Sequence, residues 1–198
     1  MKLLKEIPEA AMVAAFLKAE LTSARFSKEL KNAMRSLDVD EATIAKPNIL
    51  DEHDNELRAK VLGAYRGYRQ DREIFKDFPG DLTWHDAEIS RDEIRALQYV
   101  DYSYWNELTD HTHLVKDAVA NIQKGKIVFN VSNDRFLAVA NAISESRYEF
   151  ESIIVWGKDI GSSLTILEGH LRATAFGLAG NKAPEVIKVI MGLETIKH

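Results

Sequence analysis

The chain has 198 residues, 45% hydrophobic and 29% charged, with a formal net charge of −5; this is the balance of an ordinary globular protein, and its sign argues against broad nonspecific DNA binding. It contains no cysteine, which excludes disulfides, thiolate metal sites and cysteine nucleophiles. The length suits one large domain or a core with a helical extension, and no apolar run reaches the roughly 18 residues of a membrane span.

Met1 to Leu37 is rich in Ala, Leu, Lys and Glu. The opening, Met1 to Pro8, has no long apolar core, so no secretion signal is predicted and a cytoplasmic location is expected. Pro8 suits a first helical turn. Met12, Val13, Phe16, Leu17 and Leu21 recur at helical spacing. Ser27, Leu30, Met34 and Leu37 predict a second helix. Asp38 to Leu50 reads as a connector, broken at Pro47-Asn48. Asp51 to Phe78 is again helical in pattern and is stopped by Phe78-Pro79-Gly80.

The texture changes after Gly80. Leu82 to Ile89 predicts a short strand. Ser90 with Glu93 three residues on is an N-cap signature for a helix ending near Leu97. Tyr99 to Trp105 is dense in aromatics. Leu114 to Ile122 and Asn133 to Ile143 predict two further helices, the second capped by Ser132 or Asn133. Ser152 to Trp156 and Ser163 to Leu167 predict strands joined by a turn at Gly157 to Gly161, and so a hairpin. Gly169 breaks the second strand, His170 to Leu178 is helical, Gly180-Asn181 signals its end, and Glu185 to Met191 predicts a third strand. There is no internal repeat and no low-complexity tract.

The chemistry concentrates in Leu164-Thr165-Ile166-Leu167-Glu168-Gly169-His170-Leu171-Arg172-Ala173-Thr174-Ala175. A helix N-terminus carries unpaired backbone N–H groups and about half a positive charge. Gly169 lets an anion approach the backbone. His170 and Arg172 add donors in the first turn, and Arg grips phosphate bidentately. Ala173 and Ala175 are small enough for close packing on a sheet. Glu168, at the strand end, can orient His170, bind a metal or act as a base. A strand–Gly–helix junction also occurs without any ligand, with the arginine simply paired to Glu168.

The spacing Gly169-x-x-Arg172-x-x-Ala175, after an apolar strand and a glutamate, resembles the phosphate-binding box of the ParB/sulfiredoxin superfamily. That superfamily includes the nucleotide-binding domain of ParB partition proteins, ParB-like nuclease domains, sulfiredoxin and free-serine kinases. The order of elements around the box fits as well, and Trp84 to Leu97 is similar to the family's opening strand and helix. The strong resemblance spans Ile153 to Gly192. It implies an α+β fold, a small mixed sheet wrapped by helices, and a nucleotide of the ATP or CTP type, with Mg2+, at Gly169, His170 and Arg172. Sulfiredoxin's box carries a cysteine that this chain lacks, so that activity is not implied. No second arginine-bearing nucleotide motif or helix-turn-helix segment follows the box, so a complete partition protein is not expected.

Other groups carry competing readings. Arg58, Arg66, Arg69 and Arg72 project to one side of a helix at roughly 100° per residue, as a phosphate or nucleic-acid face or as a salt-bridged solvated face. Asp101 to Glu107 either lines a pocket, with rings stacking on Tyr104 or Trp105 and Asp101 or Glu107 as acid or base, or plugs the space between helices and sheet. His111-Thr112-His113 would present two imidazoles to a metal if extended, but no third ligand is identifiable. Ser162 and Ser163 have no triad context, and neither a nucleophile elbow nor a Walker loop is present.

The reading is therefore a helical extension over residues 1–80 and an α+β core over residues 81–198, with a helical insertion at about 98–150 and the box expected near the centre of a small mixed sheet. The expected function is binding of a nucleotide or other phosphorylated ligand at the box. Phosphoryl transfer or phosphodiester cleavage, with Glu168 as catalytic carboxylate and Asp101 as a weaker candidate, extends it. The alternatives are a noncatalytic protein-interaction module, using the N-terminal helices as partner surface, or a DNA-associated protein.

Overall fold

Residues 1–147 and 150–195 are described by the structure, a computed structural model. Residues 148–149, in the expected helical insertion, and 196–198, at the end of the expected core, lie outside the described residues. The fold is α+β, with nine α-helices and a five-stranded mixed sheet among the described residues. The chain divides into two compact units, one formed by Met1–Glu6 with His85–Glu194 and the other by Ile7–Trp84 with Thr195.

The first departure from expectation is at the start. Lys2–Ile7, within the expected helical extension, is a strand, β1, at one end of the sheet. The run Lys-Leu-Leu-Lys-Glu-Ile has no i, i+3, i+4 apolar repeat, and Pro8 biases the residue before it toward extended backbone. Pro8 itself is the N-cap of α1 (Glu9–Leu21).

The helical unit has its own core. α1 buries Met12, Val13, Phe16 and Leu17, and α2 (Ser27–Ser36) buries Leu30 and Met34. The expected connector contains a short helix, α3 (Glu41–Ala45), because the Asp40 carboxylate accepts from the Ala42 N–H and Ile44 has a buried place to go. α4 (Glu52–Arg66) is capped by Asp51, which accepts from the Asp54 N–H. It ends about a dozen residues before Phe78, the expected stop. Gly67 takes φ +81, where a Cβ would lie 2.2 Å from the Arg72 carbonyl oxygen, so the glycine closes the helix and admits the returning chain. Arg69, Asp71, Glu73 and Asp77 then also adopt positive φ. The segment returns Phe75 to the core, where its ring meets those of Phe16 and Tyr68 at 6.0 and 5.2 Å.

That early stop separates the four arginines. Arg58 is fully buried and donates to the carbonyls of Thr43 and Asn48, both at 2.9 Å, and to Asn55 Oδ1 at 2.5 Å. Arg66 pairs with Glu20 at 3.1 Å, Arg69 with Glu9 at 3.1 Å, and Arg72 donates to the Gly63 carbonyl at 3.0 Å. The salt-bridged reading accounts for Arg66 and Arg69; Arg58, buried against carbonyls, fits neither reading, and the four form no common phosphate face.

In the core unit, β2 (Leu82–Ser90) runs into α5 (Arg91–Ala96) through Ser90, and both halves of the capping box with Glu93 are present. The helices α6 (Ser103–Leu108), α7 (Val115–Gln123) and α8 (Asp134–Ser144) follow. β3 (Ile153–Gly157) pairs antiparallel with β4 (Thr165–Glu168), Val155 opposite Ile166, and parallel with β5 (Val186–Glu194), Ile153 opposite Val189. The strand order is β1-β2-β5-β3-β4. The expected hairpin is therefore present, but the box is not near the centre of the sheet. β4 can pair only on the side of β3 that β5 leaves open, and it becomes the last strand. Its outer edge is closed by Gln98, which donates to the Leu164 carbonyl at 2.8 Å and accepts from the Ile166 N–H at 2.7 Å. α9 (His170–Ala179) leaves β4 through Gly169 and packs against β3, α5, α7 and α8. Among the described residues no helix is long and apolar enough to cross a membrane.

Candidate functional site

The box is built where β4 turns into α9. Gly169 takes φ +96 and ψ 23, a left-handed conformation that costs an ordinary L-residue roughly 1–2 kcal/mol. A Cβ at this position would stand 2.9 Å from Arg172 Nη2 and 3.2 Å from Ile153 Cγ1. The glycine is thus required twice over, by its φ and by the side chain folded across it. With no side chain at its N-cap, α9 begins without side-chain capping. Its body is small: Ala173, Thr174, Ala175, Gly177 and Ala179 are buried, with Gly177 facing Val119 of α7 and Ala175 and Ala179 clustered with Ala140 and Ile143 of α8, so the small residues serve helix packing more than the expected packing on a sheet.

Arg172 lies back over Gly169. Its Nη2 donates to Glu168 Oε2 in a close ion pair four residues back, and is 3.5 Å from the Ser152 carbonyl oxygen. Both side chains are largely buried, at 13% and 14% exposure. An ion pair this enclosed is screened little by salt. The guanidinium carries five N–H donors, and Nε is buried with no hydrogen-bond partner among the described residues. The pairing of Arg172 with Glu168, one of the two sequence readings, is what the structure contains; the remaining donor is additional to it.

His170, the first residue of α9, completes a stack of rings. Tyr99 and Trp105 lie parallel, centroids 4.2 Å apart at 4°, and the imidazole stacks at 5.5 Å from Trp105 and 6.0 Å from Tyr99, both at 16°. The stack is pinned from beneath. Thr174 Oγ1 donates to the His170 carbonyl at 2.8 Å, so its one proton is used, and the 2.7 Å contact with Tyr99 must have the phenol as donor. Burial pushes the Tyr99 phenol above its usual range, which keeps it neutral in that role. The aromatic run thus includes a plug, Tyr99 and Trp105, whose face is shared with His170.

The structure brings Glu168, Gly169, His170 and Arg172 together with Trp105. Asp101 is exposed, and its carboxylate accepts from Asn106 Nδ2 at 2.7 Å. Asp110, His111 and His113 have left-handed backbone, φ 52, 63 and 62, so the segment is not the extended strand that would aim both imidazoles one way. Among the described residues no group of three or more His, Asp or Glu side chains is placed to hold a metal. Thr174 and the Ser152 carbonyl were missed in the sequence. Thr174 stands four residues after His170, the helical back-bonding distance, which was a readable signal; Ser152 is placed by β3–β4 pairing and had none.

No protein-family model matches the chain, and no curated protein or solved structure matches it.

Proposed function

We propose that the chain binds a nucleotide or another phosphorylated ligand at the β4–Gly169–α9 junction. The observation that carries this reading is Arg172 itself, a guanidinium held across a glycine at the start of a ten-residue helix with a buried Nε donor left over. Phosphate offers several acceptors in a geometry that the planar fork matches, and the helix start adds N–H groups and a favourable dipole. The near-parallel rings of Tyr99, Trp105 and His170 put an aromatic cluster at the same junction, of a kind on which a base can stack. Under this reading the box is kin to that of the ParB/sulfiredoxin superfamily. The ligand is of the ATP or CTP type, and Mg2+ arrives on its phosphates; among the described residues the junction contributes one carboxylate, Glu168, toward it.

Glu168 sets the electrostatics. It neutralises Arg172 before any ligand arrives, so an anion competes with it for the guanidinium. Phosphoryl transfer or phosphodiester cleavage with Glu168 as base requires the carboxylate to leave Arg172 once the ligand is seated.

Calorimetric titration with inorganic phosphate, ATP and CTP, with and without magnesium, tests the proposal. Arg172→Ala is expected to weaken binding about tenfold or more, the loss of one charge-assisted contact. Glu168→Gln is expected to tighten it by freeing the arginine, while abolishing turnover if the carboxylate is the base. No binding by any of these ligands, with Arg172→Ala indistinguishable from wild type, would sink it.

That outcome would favour a second reading, a noncatalytic protein-interaction module. The N-terminal helices spend their apolar faces on their own core. The feature that favours it lies elsewhere, at the turn Val128–Val131, where Phe129 and Asn130 take φ 49 and 57. There Ile127, Phe129 and Val131, with Leu137, are exposed. A bulky residue held at positive φ and in water is costly.

A further inference from the structure

The two ends of the sheet are not alike. β4 is closed by Gln98. β1, at the other end, is open: Lys2, Leu3, Leu4, Lys5 and Glu6 are all exposed, and among the described residues no backbone hydrogen bond from outside the sheet engages them. An open edge offers a row of N–H and C=O groups to another strand. Natural edges are commonly protected by lysine, and β1 has two. Their protection depends on what faces them.

We infer that β1 pairs antiparallel with β1 of a second copy of this chain, on a two-fold axis at Leu4, so that two five-stranded sheets become one. Side chains alternate along a strand, and a two-fold axis perpendicular to the sheet keeps each face with itself. On one face Lys2 then stands opposite Glu6 of the second copy, Leu4 opposite Leu4, and Glu6 opposite Lys2. On the other face Leu3 meets the aliphatic stem of Lys5, and Lys5 meets Leu3. Both charge pairs are complementary and the axis is apolar. Centring the axis one residue later would set Lys5 against Lys5. Centring it one residue earlier would set Lys2 against Leu4 and lose both Lys2–Glu6 pairs. The ladder closes at Leu4 whichever alternate set of backbone groups points outward, as a hydrogen-bonded or a non-hydrogen-bonded pair. A single short strand pair is smaller than a standard interface, so the dimer is concentration-dependent and exchanges with monomer.

Sedimentation equilibrium on the full chain, any tag placed at the C-terminus, tests this from micromolar to near-millimolar concentration. The wild type is expected to fit a monomer–dimer equilibrium. Lys2→Glu and Glu6→Lys each convert two attractive cross-strand pairs into repulsive ones, and each is expected to weaken the dimer roughly tenfold. The double variant K2E/E6K restores opposite charges across the axis and is expected to regain wild-type affinity. These side chains are exposed, so all variants should keep the wild-type circular dichroism. A wild type that stays monomeric at the highest concentration overturns the proposal. So does a dimer indifferent to the single substitutions, or one that the double variant fails to restore. Because β1 is remote in sequence from the box, phosphate binding serves as a separate readout, and loss of either property leaves the other to be judged alone.

Discussion

At the scale of single residues, the helical unit contains a phenol, held against a buried carboxylate, that sets an alkaline limit. Glu20 is 5% exposed, accepts from Tyr65 Oη at 2.7 Å and pairs with Arg66, whose guanidinium lies 4.1 Å from the Phe26 ring centroid. Burial first, and then the charge of Glu20, push the Tyr65 phenol above its usual range, because ionising it would set a phenolate against a carboxylate. A folded pKa raised above the unfolded value means that the folded state holds the proton more tightly. The associated stability is complete below about pH 10, the unfolded value, and is lost as pH rises through the folded value. Tyr65→Phe is expected to cost about 1–2 kcal/mol at neutral pH, since Glu20 loses a donor while staying buried. It is also expected to flatten the alkaline fall in thermal midpoint. Tyr68 and Tyr99 are raised for the same first reason, burial, so the slope is reduced rather than abolished. Melting curves collected between about pH 8 and pH 11 make the comparison, and equal alkaline slopes in the two proteins would refute the assignment.

At the scale of elements, the local signals that can be read from a sequence are those a few neighbouring residues settle among themselves. Ser90 and Glu93 satisfy each other's backbone donors at 3.2 and 2.7 Å, and that pairing was legible without a structure. Ser90→Ala is expected to destabilise the core unit by about 1 kcal/mol, measured as a lower denaturant midpoint at unchanged slope; a midpoint equal to wild type would show α5 to be held by Ile94 and its packing alone. The hairpin β3–β4, its glycine and α9 were legible for the same reason, as was the placing of Glu168, Gly169, His170 and Arg172 at one junction. What was not legible depends on distant partners. The end of α4 at Gly67 rests on Arg72 returning over it, and the continuing helical pattern to Phe78 concealed the stop. β1 is a strand because a sheet edge exists for it to join. The edge position of β4 follows from the parallel pairing of β3 with β5, whose partners Ile153 and Val189 are far apart in sequence. Arg58 looked like a surface cation because periodicity reports a side of a helix and not what covers it.

At the scale of the whole molecule, the chain passes between its two compact units near Glu6, Trp84 and Glu194, and each unit buries hydrophobic residues. In the helical unit Arg58 fastens the α3–α4 segment by its bonds to Thr43, Asn48 and Asn55. Burial pulls its guanidinium below the usual range while Asp54 and Asp51 pull it back up, so the charge is kept at a cost that those acceptors offset. Arg58→Met fills much of the same volume but leaves buried carbonyls without donors, at a loss of about 2–3 kcal/mol. In the core unit Ile166 is fully buried on β4, and Ile166→Ala is expected to cost about 2–5 kcal/mol through lost contacts and a cavity. Local stability follows cooperative units. Hydrogen exchange followed by mass spectrometry under native conditions should therefore show Arg58→Met accelerating amides of α1, α2 and α4 more than those of β3 and β5. Ile166→Ala should do the reverse. If each substitution accelerates both sets to the same extent, the chain unfolds as one cooperative body, and its division into two units describes packing without energetic consequence.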